Sequence, residues 1–227
     1  MSIGVWLMLT LLALILPAPW IKGRLLAASG TDWGRPWINV LDGLNRVFCR
    51  RFHRLRPVQL PLPAHGPVLV VANHISGLDP LLMIAASHRP LRFLMAREEY
   101  RRFGLQWLFR AVGCIPVERD GNTHRALAAA RRALQRGEVV ALFPHGRIHL
   151  DHETPVRLKR GIAHLARLSG APVVALRIDG VRGAGRTLGA VVLRSRARLT
   201  VFPPLYHDEA EPERLLEALA RQIGRIQ

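Results

Sequence analysis

The chain has 227 residues and a formal net charge of +17, carried almost wholly by arginine, since Lys22 and Lys159 are its only lysines. Two cysteines, Cys49 and Cys114, exclude a disulfide framework in a chain this long and fit a reducing compartment. The cation excess favours an anionic partner: nucleic acid, anionic lipid headgroups or an acidic protein. No nucleic-acid motif is present, however, and aromatic side chains for stacking bases are few.

Patterning divides the chain into an N-terminal appendage, residues 1–54, and a globular domain, residues 55–227. Residues 3–16 are almost wholly apolar, and Pro17 and Pro19 close the run. As a helix this run would reach roughly 21–26 Å, against a bilayer core of about 30 Å. It reads as a membrane helix that crosses the bilayer or enters one leaflet. A secretory signal is the competing reading, but no cation precedes the run and no small-x-small site follows it. Trp20 falls at headgroup level, and Lys22 and Arg24 favour the cytoplasmic side for everything downstream. Next, Trp37, Val40, Leu41, Leu44, Val47, Phe48 and Phe52 share one helical face, with Asn45, Arg46, Arg50 and Arg51 elsewhere. This basic amphipathic helix suits either a membrane interface or packing on the domain core.

A Pro-rich stretch, residues 56–67, marks the entry to the globular domain. Residues 68–72 predict a buried strand. Residues 80–87 predict a helix capped by Asp79, 92–96 a strand, 105–112 a helix, and 122–135 an Ala-rich helix closed by Gly137. A strand over 139–143, a helix over 161–168 and a strand over 173–178 follow. Residues 191–193 and 199–202 are expected to pair as late strands, and 212–226 to close the chain as a helix. The alternation predicts an α/β fold: a mixed, largely parallel sheet flanked by helices, with an N-terminal membrane-associated helical segment.

The segment Asn73-His74-Ile75-Ser76-Gly77-Leu78-Asp79-Pro80 sets a histidine and a carboxylate five residues apart. On a continuous helix they would stand about 500° apart, on different faces. A turn running into a helix, which Gly77 and Pro80 permit, can bring them together. A histidine held by an aspartate makes a general base for a hydroxyl. The plainer reading makes Asp79 a helix cap and His74 a turn residue. The two roles of Asp79 are compatible, since its oxygens can serve different donors.

This segment resembles the first motif of the glycerolipid acyltransferase family, typified by lysophosphatidic acid acyltransferase: Asn-His, four residues, Asp, with Ser two after the His. Asn73, His74, Ser76 and Asp79 match throughout. Gly113-Cys114-Ile115-Pro116-Val117-Glu118-Arg119 is similar to the second motif. Phe143-Pro144-His145-Gly146-Arg147 is similar to the third, with His145 where the family has Glu. Ala171-Pro172-Val173-Val174-Ala175-Leu176 resembles the fourth, and Lys159-Arg160-Gly161 resembles the family's basic step into a helix. The resemblance covers residues 55–205.

The resemblance implies His74 as general base, oriented by Asp79. It places Asn73, Ser76, Arg119, His145, Gly146, Arg147 and Lys159 at the substrate, with Arg119 and Arg147 on the acceptor phosphate. It implies acyl transfer from acyl-carrier protein or acyl-CoA, as co-substrate and without a further cofactor, to the free hydroxyl of a lysophospholipid such as 1-acylglycerol-3-phosphate, giving phosphatidic acid. The setting would be the cytoplasmic side of a bacterial-type inner membrane, with an anionic membrane surface as partner, no nucleic acid and no metal. His145 in place of Glu implies a changed headgroup preference, so a lyso-aminolipid or another lysophospholipid is the alternative acceptor. His145, His149 and His152 raise a metal site, but Pro144 and Gly146 break the helix their spacing would need.

Overall fold

The computed structural model describes residues 18–118, 123–153, 158–206 and 212–224. Five strands run parallel: β1 (Val68–Ala72), β2 (Leu91–Ala96), β3 (Ile115–Val117), β4 (Val139–Leu142) and β5 (Val173–Asp179). A sixth, β6 (Arg198–Val201), joins antiparallel to β5. The order across the sheet is β3-β2-β4-β1-β5-β6. Val68 lies opposite Val139 of β4, and Leu69 opposite Val173 of β5. A parallel sheet is covered on both faces, so its strands must be apolar without alternation. The runs VLVVA and VVAL meet that demand, and every residue of β1 and β4 is buried.

On one face pack α2 (Pro36–Arg51), α3 (Asp79–Ala86) and the short α8 (Gly189–Val192); on the other pack α6 (His124–Gln135), α7 (Gly161–Ser169) and α9 (Pro212–Ile223). Each fully buried Val or Leu between these layers contributes about 1.5–3 kcal/mol. In α6, Ala126, Ala130, Ala133 and Leu134 recur at helical spacing and are buried, while Arg125, Arg131 and Arg132 stay outside. The chain leaves β1 through α3 on the first face and leaves β4 through α7 on the second. β1 and β4 are neighbours, so the crevice at their carboxyl ends lies where successive connections part to opposite sides. Open α/β sheets bind their ligands at such a point.

The N-terminal part is a helical hairpin of α1 (Ala18–Ala28) and α2. Gly43 lies so close to the Leu25 carbonyl that no Cβ would fit. The buried face of α2 comprises Ile38, Asp42, Gly43, Arg46 and Cys49. Arg46 Nε donates to Asp42 Oδ2 at 2.7 Å, Nη1 to the Ala85 carbonyl at 2.9 Å, and Nη2 to Thr31 Oγ1 at 2.9 Å and to the Ser87 carbonyl. Ser29 Oγ and the Gly30 N–H also bind Asp42 Oδ2. Asn45 Nδ2 donates to the Leu81 carbonyl at 2.9 Å. Burial pushes the Cys49 thiol up to about 12 and that of Cys114 to about 11.

Several expectations need correction. Arg46 and Asn45 grip α3 rather than forming a free polar side, whereas Trp37, Leu41, Leu44 and Val47 face outward. A buried guanidinium is tolerable here because carbonyls, a hydroxyl and a carboxylate surround it. Helix α1 runs through Pro19, which its first turn accommodates because no intrahelical bond is lost there. Residues 191–193 do not pair with β6: residues 189–192 form α8, which drives Ala190 into the core, and β6 takes β5 as partner. The helix α4 (Arg97–Tyr100) and strand β3 were not anticipated; each is too short for a periodicity, and Pro116 is tolerated because β3 is an edge strand. Helix α5 (Gln106–Ala111) matches expectation to within a residue at each end. The apolar stretch 3–16 lies outside the described residues. Among the described residues no helix is long and apolar enough to cross a membrane.

Candidate active site

β1 ends at Ala72, and the next side chain secures that end. Asn73 Oδ1 accepts the Ile178 N–H at 2.7 Å, and Nδ2 donates to the Ile178 carbonyl at 2.9 Å. The amide thus continues the β1–β5 ladder by one rung. Asn73, expected at the substrate, is instead a buried brace with both ends of its amide occupied.

The chain then turns into α3. The carboxylate of Asp79, fully buried, accepts four hydrogen bonds. Oδ2 takes the Ile75 N–H at 2.7 Å, the Ser76 N–H at 2.8 Å and His74 Nδ1 at 2.9 Å; Oδ1 takes the Ser76 hydroxyl at 2.6 Å. Asp79 is therefore both the organiser of the turn and the partner of the imidazole. Ser76 is fully buried and committed to Asp79, with its oxygen also accepting the Leu78 N–H at 3.2 Å. It positions the carboxylate, and its hydroxyl, expected at the substrate, is buried against Asp79. Gly77 is required because the Thr187 carbonyl occupies the space of a Cβ. Two backbone bonds join the same loop to the turn, Gly185 N–H to the Ile75 carbonyl at 2.8 Å and Gly77 N–H to the Arg186 carbonyl at 3.3 Å.

His74 Nδ1–H points at Asp79, which leaves Nε2 as the free acceptor of a proton. The ring stacks on Phe143 with centroids 4.0 Å apart and planes 14° from parallel. One face is thereby covered, yet the side chain remains 18 % exposed, enough to be reached from the crevice. Phe143 opens the loop after β4, and the His149 N–H holds that loop to the His74 carbonyl at 2.8 Å.

Four of the expected substrate residues lie on or against this loop. His145 packs on His149 with ring centroids 4.6 Å apart. His149 Nδ1 lies 3.1 Å from Glu153 Oε2, and His145 Nδ1 is buried without a hydrogen-bond partner. Burial, with the neighbouring His149, Arg147 and His74, holds the His145 imidazole below its usual pKa. Gly146 adopts a left-handed φ of +70° and lies beside Lys159 Nζ, where a Cβ would crowd the ammonium. Arg147 is exposed, its guanidinium 3.9 Å from Glu153. Arg119 lies outside the described residues. His152 is exposed, and among the described residues no three His, Cys, Asp or Glu side chains converge in a way that could hold a metal ion.

Sequence reasoning passed over Arg177, which anchors this loop. Buried in β5, it reaches Asp151 Oδ2 at 2.5 Å, Asp179 Oδ1 at 3.1 Å and the Ile223 carbonyl at 2.7 Å. A charge inside the apolar run VVALRID was the signal, because such a charge must find partners.

The sequence pattern of the family described as Acyltransferase matches residues 54–179. Over 124 residues the chain is 32% identical to a probable 1-acyl-sn-glycerol-3-phosphate acyltransferase of Mycoplasma genitalium, covering 52% of this chain and 46% of that protein. Over 123 residues it is 32% identical to the N-acylphosphatidylethanolamine synthase of Arabidopsis thaliana, covering 49% of this chain and 43% of that protein. The chain thus spans less than half the length of either relative. Its fold matches the crystal structure of the 1-acyl-sn-glycerophosphate (LPA) acyltransferase, PlsC, from Thermotoga maritima with a TM-score of 0.58 and 18% identity, over 97% of this chain and 94% of that one. The family pattern runs from the approach to β1 to the end of β5 and takes in the whole His74–Asp79 turn and the loop after β4; this chain belongs to the acyltransferase family.

Proposed function

We propose that the protein transfers a fatty acyl group from a thioester, acyl-carrier protein or acyl-CoA, to the free hydroxyl of a lysophospholipid at a membrane surface, with 1-acylglycerol-3-phosphate as the leading acceptor. The observation that carries this reading is the His74–Asp79 pair at 2.9 Å, with Nε2 turned away from the carboxylate. His74 takes the hydroxyl proton as the acceptor oxygen attacks the thioester carbonyl. Asp79 fixes the tautomer and stabilises the imidazolium that forms. His74 then protonates the departing thiolate. A thioester is already activated, so no acyl-enzyme is required. Arg147 and Lys159 supply cations for the acceptor phosphate, and Arg119 joins them on this reading.

A lipid acceptor is supported by the outward face of α2, where Trp37, Leu41, Leu44 and Val47 are exposed, and by Trp107 of α5, whose ring lies 5.4 Å from that of Trp37. Arg50 and Arg51 flank this face, and each arginine near an anionic leaflet adds about 1 kcal/mol of attraction. On this reading the reaction takes place at the cytoplasmic face of an inner membrane.

Purified His74→Ala protein should lose about 10²–10⁴-fold in acyl transfer from labelled donor; an unchanged rate would remove His74 from the chemistry. A second reading, transfer to a lyso-aminolipid, is favoured by the relative named N-acylphosphatidylethanolamine synthase and by His145 in place of the family Glu. A panel of lysolipid acceptors given to wild type and His145→Glu separates the two. Identical preferences would show that position 145 does not select.

A further inference from the structure

The segment from Gly180 to Tyr206 contains five arginines, Arg182, Arg186, Arg194, Arg196 and Arg198, and no aspartate or glutamate. All five are exposed, and among the described residues none is ion-paired. Among them stand apolar side chains that the core does not use: Leu188 is 65% exposed and Val192 71%, with Leu193 beside them. The segment is firmly seated. Ala190 is buried, Arg182 N–H binds Ser195 Oγ at 3.0 Å, and His53, just beyond the end of α2, meets the Val191 carbonyl at 3.1 Å. Its other side lies on the catalytic turn through the Ile75–Gly185 and Gly77–Arg186 bonds. Its exposed apolar groups are therefore fixed beside the site, on the side of the sheet that α2 covers.

We infer that residues 182–196 are a second membrane contact, with Leu188, Val192 and Leu193 entering an anionic bilayer while the surrounding arginines meet lipid phosphates. Apolar tips inside a ring of cations fit the boundary between acyl chains and headgroups. An acidic protein would satisfy the arginines and leave Leu188 and Val192 without an apolar partner. Because the segment rests on the turn that carries His74, this contact sets the mouth of the crevice at the lipid surface. The inference takes its purpose from the lipid acceptor proposed above, yet the contact is measurable without turnover.

The test is hydrogen exchange of the full chain with phosphatidylglycerol or phosphatidylcholine vesicles. The amides of Gly185, Arg186, Val191 and Leu193 are hydrogen-bonded within the fold, so their exchange can be followed. Phosphatidylglycerol should slow exchange over residues 182–196 and leave α6, on the opposite face, unchanged. The double variant Leu188→Ser, Val192→Ser should lose this slowing and keep that of α2. Its transfer rate should fall about tenfold on an acceptor embedded in vesicles, and stay unchanged on a short-chain acceptor dissolved as monomers. Unaltered exchange over 182–196 with phosphatidylglycerol overturns the inference. So does slowing that requires acyl-carrier protein, which would give this surface to the donor's carrier. If neither protein transfers acyl groups while the exchange pattern holds, the catalytic reading fails and the contact stands.

Discussion

Helices α2 and α6 are both amphipathic and arginine-rich, yet they face opposite ways. α6 buries Ala126, Ala130, Ala133 and Leu134 and sets its arginines in water. α2 buries Asp42 and Arg46 and sets Trp37, Leu41, Leu44 and Val47 outside. Periodicity gives the division of a helix into faces but not which face meets the domain. For α2, the orientation was decided by open carbonyls at the end of α3, Ala85 and Ser87, which a guanidinium satisfies and an alkyl group cannot. A helix built this way leaves Trp37, Leu41, Leu44 and Val47 outside the packed core.

The sharpest way to break the contrast is Arg46→Met. It leaves Asp42 buried without its cation and should cost about 3–5 kcal/mol in denaturant unfolding, whereas adding Asp42→Leu should recover part of that loss. On α6 the equivalent intrusion is Ala130→Leu, an overpacking of a fully buried site that should cost about 1–3 kcal/mol. The outer faces should behave differently from the inner ones. Leu41→Ser with Leu44→Ser should change folding stability in solution by only about 0.5 kcal/mol per site, yet release the protein from sedimented anionic vesicles. Arg131→Gln on α6 should alter neither by a measurable amount.

The smallest effect is in pH. Burial first, and for His145 also neighbouring cations, depresses the pKa of His53 and His145 below the ordinary 6.5. The unfolded chain therefore takes up these protons first as pH falls. Stability from this source should be intact above pH 6.5 and decline as pH falls from there toward the depressed folded values. Thermal melts of His145→Gln should show a shallower decline over that window.

Much of the frame was legible. The apolar runs of β1, β4 and β5, the Ala-rich α6 and the turn between β1 and α3 all carry local signals, because parallel strands and helix stops constrain composition directly. The pairing of His74 with Asp79 was legible as a possibility. What closed it was the set of donors the turn aims at one carboxylate. Asn73 and Ser76 look like ligands in the sequence because they are polar and adjoin His74, whereas in the fold the end of a strand and a buried carboxylate claim them. Short elements such as β3, α4 and α8 are fixed by their neighbours, not by their own residues. Arg177 announced itself only as an anomaly, and its partners come from distant parts of the chain.

Both thiols sit where burial disfavours the thiolate. Cys49 lies fully buried, and burial keeps both its Sγ and that of Cys114 protonated well above neutral pH. A chromogenic disulfide reagent added to a reaction mixture would find few thiolates on the enzyme. On the proposed reading, with acyl-CoA supplied as donor, the colour it develops would report the thiol released from that donor and not the protein's own cysteines, allowing a continuous optical assay.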